Sequence, residues 1–464
     1  MSNSFWGERD QRLIWHPCTQ MHDHESFPIL PIKKARGIWL EDFEGHRYLD
    51  AISSWWVNIF GHAHPELNAA LSTQAEQLAH IMLAGFSHQP IIELSAMLVD
   101  RAPKGLVRCF YADNGASAIE VALKMSMHAW RHQGMPGKNR FVALSNSYHG
   151  ETLGALSVTD IPLFSATYAP LLTTPLRVPS PDCSHLPVDQ WQQHSQASLL
   201  AVELLFQKRH TEIAAMIVEP LVQGAAGMRM YHPAYLSGLR SLCNQYQVHL
   251  IADEIAVGFG RTGTFFACEQ ASITPDFLCL SKALTAGYLP MSVVLTTDFI
   301  YQLFYGAYEQ QKGFMHSHSY TGNALAAAVA VASLKLFDRD QVLCQNQQKS
   351  VWMQEMAENL LPKEQIRHLR RCGMILAFDW IPAPGQVWDP ESRAGLALHR
   401  AALQHGILIR PIGHQVYIMP PYIITEEELE VLFRGISKAM HHAYPHLRVA
   451  TSPPYTSTDD WDLA

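Results

Sequence analysis

Short apolar runs separated by helix-patterned segments predict an α/β chain, with a large domain on a mostly parallel sheet and a smaller α/β domain after it. Three observations carry this expectation. Residues 214–218, 248–252 and 277–280 are apolar, of strand length and bounded by polar or turn residues, as strands buried on both faces are. Asp253 directly follows the second run and Lys282 stands just past the third, so both emerge at strand carboxyl ends, where open α/β sheets bind ligands. Between such runs lie helix-spaced stretches, as at 118–125 and the alanine-rich 324–334.

Taken in order, residues 1–60 form an arm that contributes to the smaller domain. Pro17, Pro28 and Pro31 oppose a long helix, and 37–45 is patterned as a hairpin. Cys18, Trp55 and Trp56 stand out in this region. Two adjacent tryptophans either pack against the body or wall a pocket. The large domain is expected over 61–336, with helices at 65–80 and 90–101. A strand then gives way to a helix at Gly115, where small residues let backbone N–H groups approach an anion, although an ordinary helix cap has the same pattern. After the strand 140–144, Tyr148 offers a ring at a strand end, for stacking or simply for the core. Residues 178–190 should be a surface loop, and Glu219, at the end of 214–218, a structural hydrogen-bonding group.

Gly258-Phe-Gly260-Arg-Thr-Gly263 matches the dinucleotide pattern, but no long amphipathic helix follows it, so a turning loop is expected instead. His316 and His318 lack further ligands at zinc-like spacing, and no metal is expected. The smaller domain spans 337–450. In it Arg410 follows the apolar run 406–409, where it can fork onto a carboxylate or serve a structural ion pair. Residues 451–464 should be a mobile tail.

A lysine at a buried strand end is shifted toward its neutral, nucleophilic form, whereas a buried carboxylate needs a cationic partner. Pyridoxal phosphate meets both needs, with an aldehyde for Lys282 and a ring nitrogen for Asp253. Asp and Lys after strands also serve as helix caps or solvated residues, so the pair alone leaves both readings open.

Composition narrows the partners. Hydrophobic residues make up 48% of the 464, enough for a large core, and the net charge of −8 comes without a basic block for nucleic acid or an anionic membrane. Eight scattered cysteines without a C-x-x-C pair, a polar start and no bilayer-length apolar run point to a soluble protein of the cytoplasm.

Asp253-Glu-Ile, the glycine loop Gly258 to Gly263 and, 29 residues past Asp253, Ser281-Lys282 together resemble class III, fold-type I pyridoxal-phosphate aminotransferases, and the resemblance covers nearly the whole chain. It implies a seven-stranded sheet and a homodimer with shared sites. Lys282 would form the covalent link and move protons, Asp253 would hold the ring nitrogen, and Tyr148 would stack on the ring and touch substrate. Gly115 and Ala116 match the phosphate-binding positions, although Ala116 lacks the hydroxyl that relatives can carry. Ser317, His318 and Ser319 match residues that reach the neighbouring subunit's substrate and phosphate. Cys18, Trp55, Trp56 and Arg410 fall at substrate-binding positions, Cys18 where other members have tyrosine.

Four runs narrow the resemblance: Trp15-His-Pro, Ser53-Ser-Trp-Trp56, Gln223-Gly-Ala-Ala-Gly-Met-Arg-Met-Tyr-His-Pro233 and Met419-Pro-Pro-Tyr-Ile-Ile424. They are similar to the branch that aminates 8-amino-7-oxononanoate to 7,8-diaminononanoate in biotin synthesis, with S-adenosylmethionine as donor. Aromatic faces at Trp55, Trp56 and Tyr148 suit a sulfonium. Gly287-Tyr-Leu-Pro290 and His318-Ser-Tyr-Thr-Gly322 also resemble runs of lysine-using relatives. A class III ω-amino-acid aminotransferase would share Asp253 and Lys282. A binding protein that had lost turnover is the non-enzymatic alternative, against which the intact Lys282 argues.

Overall fold

The computed structural model describes residues 2–451, so the tail expected at 451–464 lies, apart from Thr451, outside the described residues. Two compact units divide the chain, one of Pro65–Leu343 and one of Met1–His64 with Cys344–Ala464.

The Pro65–Leu343 unit is built on seven strands: β1 (Leu106–Ala112), β2 (Arg140–Leu144), β3 (Leu176–Val178), β4 (Ile213–Val218), β5 (His249–Asp253), β6 (Phe277–Leu280) and β7 (Ser292–Thr297). Their order is β1-β7-β6-β5-β4-β2-β3. Only β7 runs against its neighbours β6 and β1, and the remaining pairs are parallel. Every residue of β4, β5 and β6 is buried, which requires helices on both faces and explains why these runs show no alternation. Helix α1 (Gly115–His132) supplies part of that cover, with Ala118, Ile119, Ala122 and Met125 in one cluster with Ile217, Ile251, Phe277 and Cys279. The glycine pattern at 258–263 forms consecutive turns followed by a short 3-10 helix, Ala267–Ala271, as expected of a turning loop. At Gly260 (φ +90°) a Cβ would come within 3.0 Å of the Phe337 ring. The loop expected to begin at 178 starts later, because Leu176–Val178 pairs with β2 as an edge strand.

In the other unit, Ile32–Arg36, Trp39–Asp42 and Arg47–Asp50 form an antiparallel sheet that Ile407–Leu408 joins in parallel. A second sheet joins Ile366–Cys372, Ile375–Trp380 and Gln415–Ile418. Helices α2 (Ala394–Gln404) and α3 (Glu426–Ala443) pack together, the latter started by a Thr425 and Glu428 capping box. The arm is not extended throughout. Its first turns are a helix, Asn3–Leu13, capped by Ser2, because the three prolines act only downstream of it.

Candidate active site

Asp253 ends β5 and is buried. Its Oδ2 lies 2.7 Å from His149 Nδ1, and its Oδ1 accepts the Ile255 N–H at 3.1 Å. Glu219, just past β4, is also buried and accepts the N–H groups of Tyr148 (3.0 Å) and Gly224 (2.9 Å). Burial pushes its carboxyl up to about 7; His149 opposes that rise and the Asp253 charge adds to it. Lys282 opens the turn after β6, and burial lowers its ammonium pKa while the charges of Asp253 and Glu219 act the other way. The ends of β4, β5 and β6 supply Glu219, Asp253 and Lys282, and His149, in the segment after β2, joins them in one electrostatic cluster. An amine shifted toward neutrality there has a lone pair available for a carbonyl carbon.

Beside it, α1 begins at Gly115. Asn114 Oδ1 takes the Ser117 N–H at 3.0 Å, and the N–H groups of Gly115 and Ala116 have no partner within the helix. Close approach is built in: a Cβ on Gly115 would fall 2.9 Å from Ile255 Cγ2, and one on Gly150 (φ +124°) 2.6 Å from Ala116 Cβ. Tyr148 is half-buried, its hydroxyl donating to Glu151 at 2.8 Å and its ring 5.4 Å from that of Phe164. The buried Nε2 of His149 has no hydrogen-bond partner among the described residues. A planar, cationic, phosphate-bearing group fits this set of a carboxylate, an amine, an aromatic ring and a helix start.

The 315–320 loop is anchored by Ser319 O, 2.7 Å from His80 Nε2, and by the His318 N–H, which donates to Thr321 Oγ1 at 3.0 Å. Ser317 and Ser319 are exposed, and His316 Nδ1 is 2.7 Å from Lys124 Nζ.

Cys18, Trp55, Trp56 and Arg410 belong to the other unit, which draws three of them together. Arg410 Nη2 donates to Cys18 O at 2.8 Å, and its guanidinium lies 5.0 Å from the Trp55 ring centre. Trp55 is exposed, whereas Trp56 is buried edge-on to Tyr417 at 5.9 Å. Ser53, Ser54, Trp55 and Trp56 all have positive φ, from 47° to 73°, a left-handed turn that L-residues enter at a cost. Tertiary hydrogen bonds hold it: Ser53 Oγ donates to Met419 O and Ser54 Oγ to Asp50 Oδ2, both at 2.7 Å.

The sequence profile of the class III aminotransferases matches residues 19–440. The chain belongs to the class III aminotransferases. An adenosylmethionine-8-amino-7-oxononanoate aminotransferase of Helicobacter pylori is 46% identical to this aminotransferase over 92% of its chain and 95% of the relative. One from Geobacter sulfurreducens is 41% identical over 93% and 96%. The crystal structure of such an enzyme from Methanocaldococcus jannaschii superposes with a TM-score of 0.88 at 33% identity, covering 95% of this chain and 99% of that one. An ω-transaminase of Pseudomonas jessenii, solved in complex with PMP, gives 0.87 at 26% identity over 95% and 98%. These likenesses agree with the seven-stranded fold-type I architecture. Two features of the aminotransferase were not singled out in the sequence, namely the His149 contact with Asp253 and the handedness of the Ser53 to Trp56 turn. His149 had one signal available, its place beside Tyr148 at a strand end.

Proposed function

We propose that this aminotransferase moves the amino group of S-adenosylmethionine to 8-amino-7-oxononanoate, forming 7,8-diaminononanoate for biotin synthesis, with pyridoxal 5'-phosphate as cofactor. The observation that carries the chemistry is the cluster of Lys282, Asp253, Glu219 and His149 at the strand ends. The names of the relatives from Helicobacter pylori and Geobacter sulfurreducens support the choice of substrates.

Pyridoxal phosphate, when bound, supplies an aldehyde for amines and a protonated ring that withdraws electrons. Asp253, oriented by His149 and the Ile255 N–H, would hold the proton of the ring nitrogen by a hydrogen bond. Gly115 and Ala116 offer backbone N–H groups to the phosphate, and Tyr148 covers the ring. Lys282, shifted toward its neutral form, would hold the cofactor through its aldehyde. The Lys282 Nζ would then serve as the general base and acid of the site, taking the proton from the donor Cα and supplying one to the acceptor carbon. Arg410 grips the acceptor carboxylate, and Trp55 walls the substrate.

The working form is a homodimer in which Ser317, His318 and Ser319 serve the partner's site. Support comes from the exposure of Met315 (92%) and Tyr320 (63%) on that loop, and from a nearby apolar wall that includes Val107, Phe110, Tyr301 and Phe314. The cytoplasm is its compartment, in keeping with eight free cysteines. Among the described residues no helix is long and apolar enough to cross a membrane.

The test is a single-turnover comparison in which holoenzyme receives one donor without acceptor and the aminated cofactor is followed. S-adenosylmethionine should convert it faster than lysine at matched concentration; the reverse order would replace the donor and leave the acceptor reaction standing.

A further inference from the structure

We infer that the salt bridge between Asp23 and Arg393 is a positioning pair that fixes Arg410, and through it sets the grip on the acceptor's carboxylate. This rests on the role proposed above for Arg410. All of the residues concerned lie in one unit of the chain.

Residues 19–27 form a small cap knitted by His24, whose Nδ1 lies 3.3 Å from Phe27 O and whose Nε2 lies 3.3 Å from Thr19 Oγ1. The cap docks on α2 at two places. Asp23 meets Arg393 in a bidentate fork, with Nη1 donating to Oδ1 at 2.7 Å and Nη2 to Oδ2 at 2.8 Å. Phe27 lies under the Arg400 guanidinium at 4.7 Å and edge-on to His399 at 5.7 Å. His399 Nδ1 in turn is 2.6 Å from the carbonyl oxygen of Ile409, the residue before Arg410.

The upstream end of the cap is Cys18, in a left-handed conformation (φ +52°), and its carbonyl receives Arg410 Nη2. Thr19, Asp23, His24, Phe27, His399 and Arg410 line one cavity, so the cap and the arginine share a wall. Where the cap sits therefore decides where the Cys18 carbonyl sits, and that oxygen orients the guanidinium. The fork is the polar tie holding the cap to α2. Both of its side chains are partly exposed, so breaking it should loosen the cap without leaving a charge stranded in the core.

The experiment uses holoenzyme and measures the two half-reactions separately. Asp23→Asn should raise the acceptor KM about five-fold. The rate at saturating acceptor should stay within about two-fold of the parent, and the donor half-reaction should not change. Exchanging the partners, Asp23→Arg with Arg393→Asp, should restore the acceptor KM. An acceptor whose carboxylate is masked as a methyl ester should react alike with the parent and with Asp23→Asn. Equal weakening of both half-reactions, or no change in either, would overturn the inference. Arg410→Ala separates the two levels of argument. If it leaves the acceptor KM unchanged, the proposed role of Arg410 falls and the inference with it. If it raises that KM while Asp23→Asn does not, the inference alone falls.

Discussion

At Asp253 a buried carboxyl finds polar partners on both sides, a histidine nitrogen on one oxygen and a backbone amide on the other. In the proposed role this carboxyl holds the proton of the cofactor's ring nitrogen. Asp253→Asn should keep the fold and cut the turnover rate by an amount equivalent to about 3 kcal/mol, the usual worth of one preorganised charge. Steady-state turnover with an unchanged melting temperature would report it, and a near-parental rate would rule out the pairing with the ring nitrogen. Asp253 and Lys282 could be singled out in the sequence because each closes a short apolar run, and the strand period fixes where such a residue emerges. His149 could not. Its contact with Asp253 joins residues 104 apart in sequence, and its one signal, a place beside Tyr148 at a strand end, is shared with core histidines.

The Ser53 to Trp56 turn shows how an element can be set by its surroundings. Ser-Ser-Trp-Trp contains no glycine or asparagine to announce a positive φ, and its handedness comes from Met419 and Asp50, far away in sequence or on the preceding strand. Ser54 (φ 47°, ψ 53°) allows a clean test. Ser54→Ala and Ser54→Gly both lose the hydrogen bond to Asp50, but only glycine sheds the steric penalty. The glycine variant should therefore be the more stable of the two by about 1 kcal/mol in thermal unfolding. In a right-handed helix the order would be reversed by a similar amount, so alanine proving the more stable would show the turn to be unstrained. The edge strand β3 was hidden for a related reason. Three residues with Arg177 in the middle carry too little pattern, and the pairing with β2 makes the strand.

For the molecule as a whole, two buried carboxyls shape the response to pH. Burial raises both Glu219 and Glu254 to about 7, from an ordinary 4.5. Between those values the folded chain keeps protons that the unfolded chain has released. Stability should therefore fall as pH rises through the window, by up to about 1 kcal/mol per pH unit for each group. Asp23 and Asp42 are shifted downward, so their support is present above 3.8 and disappears in acid. Glu254→Gln removes one of these two buried groups. Its unfolding free energy in urea should gain on the parent from about pH 5 to about pH 8, and a constant difference would show that Glu254 does not titrate in this range. Assembly has its own test. When a Lys282→Ala chain is mixed with a chain altered at Ser317, His318 and Ser319, the heterodimer should hold one intact site. Activity no higher than in either parent homodimer would exclude shared sites.

Within the seven-stranded sheet the antiparallel placement of β7 has a topological consequence for the lysine. Parallel neighbours must be joined by a long crossover, but β6 and β7 are adjacent and opposed, so residues 281–291 suffice to connect them. Lys282 thus sits in a short bridge fastened at both ends, and the Ser281 hydroxyl ties the two ends together by donating to Met291 O at 2.7 Å. A circular permutant opened near Gly287 would leave the order of the seven strands intact while giving the lysine's backbone a loose end. Such a molecule would separate the contribution of the sheet from that of the tether that holds its amine.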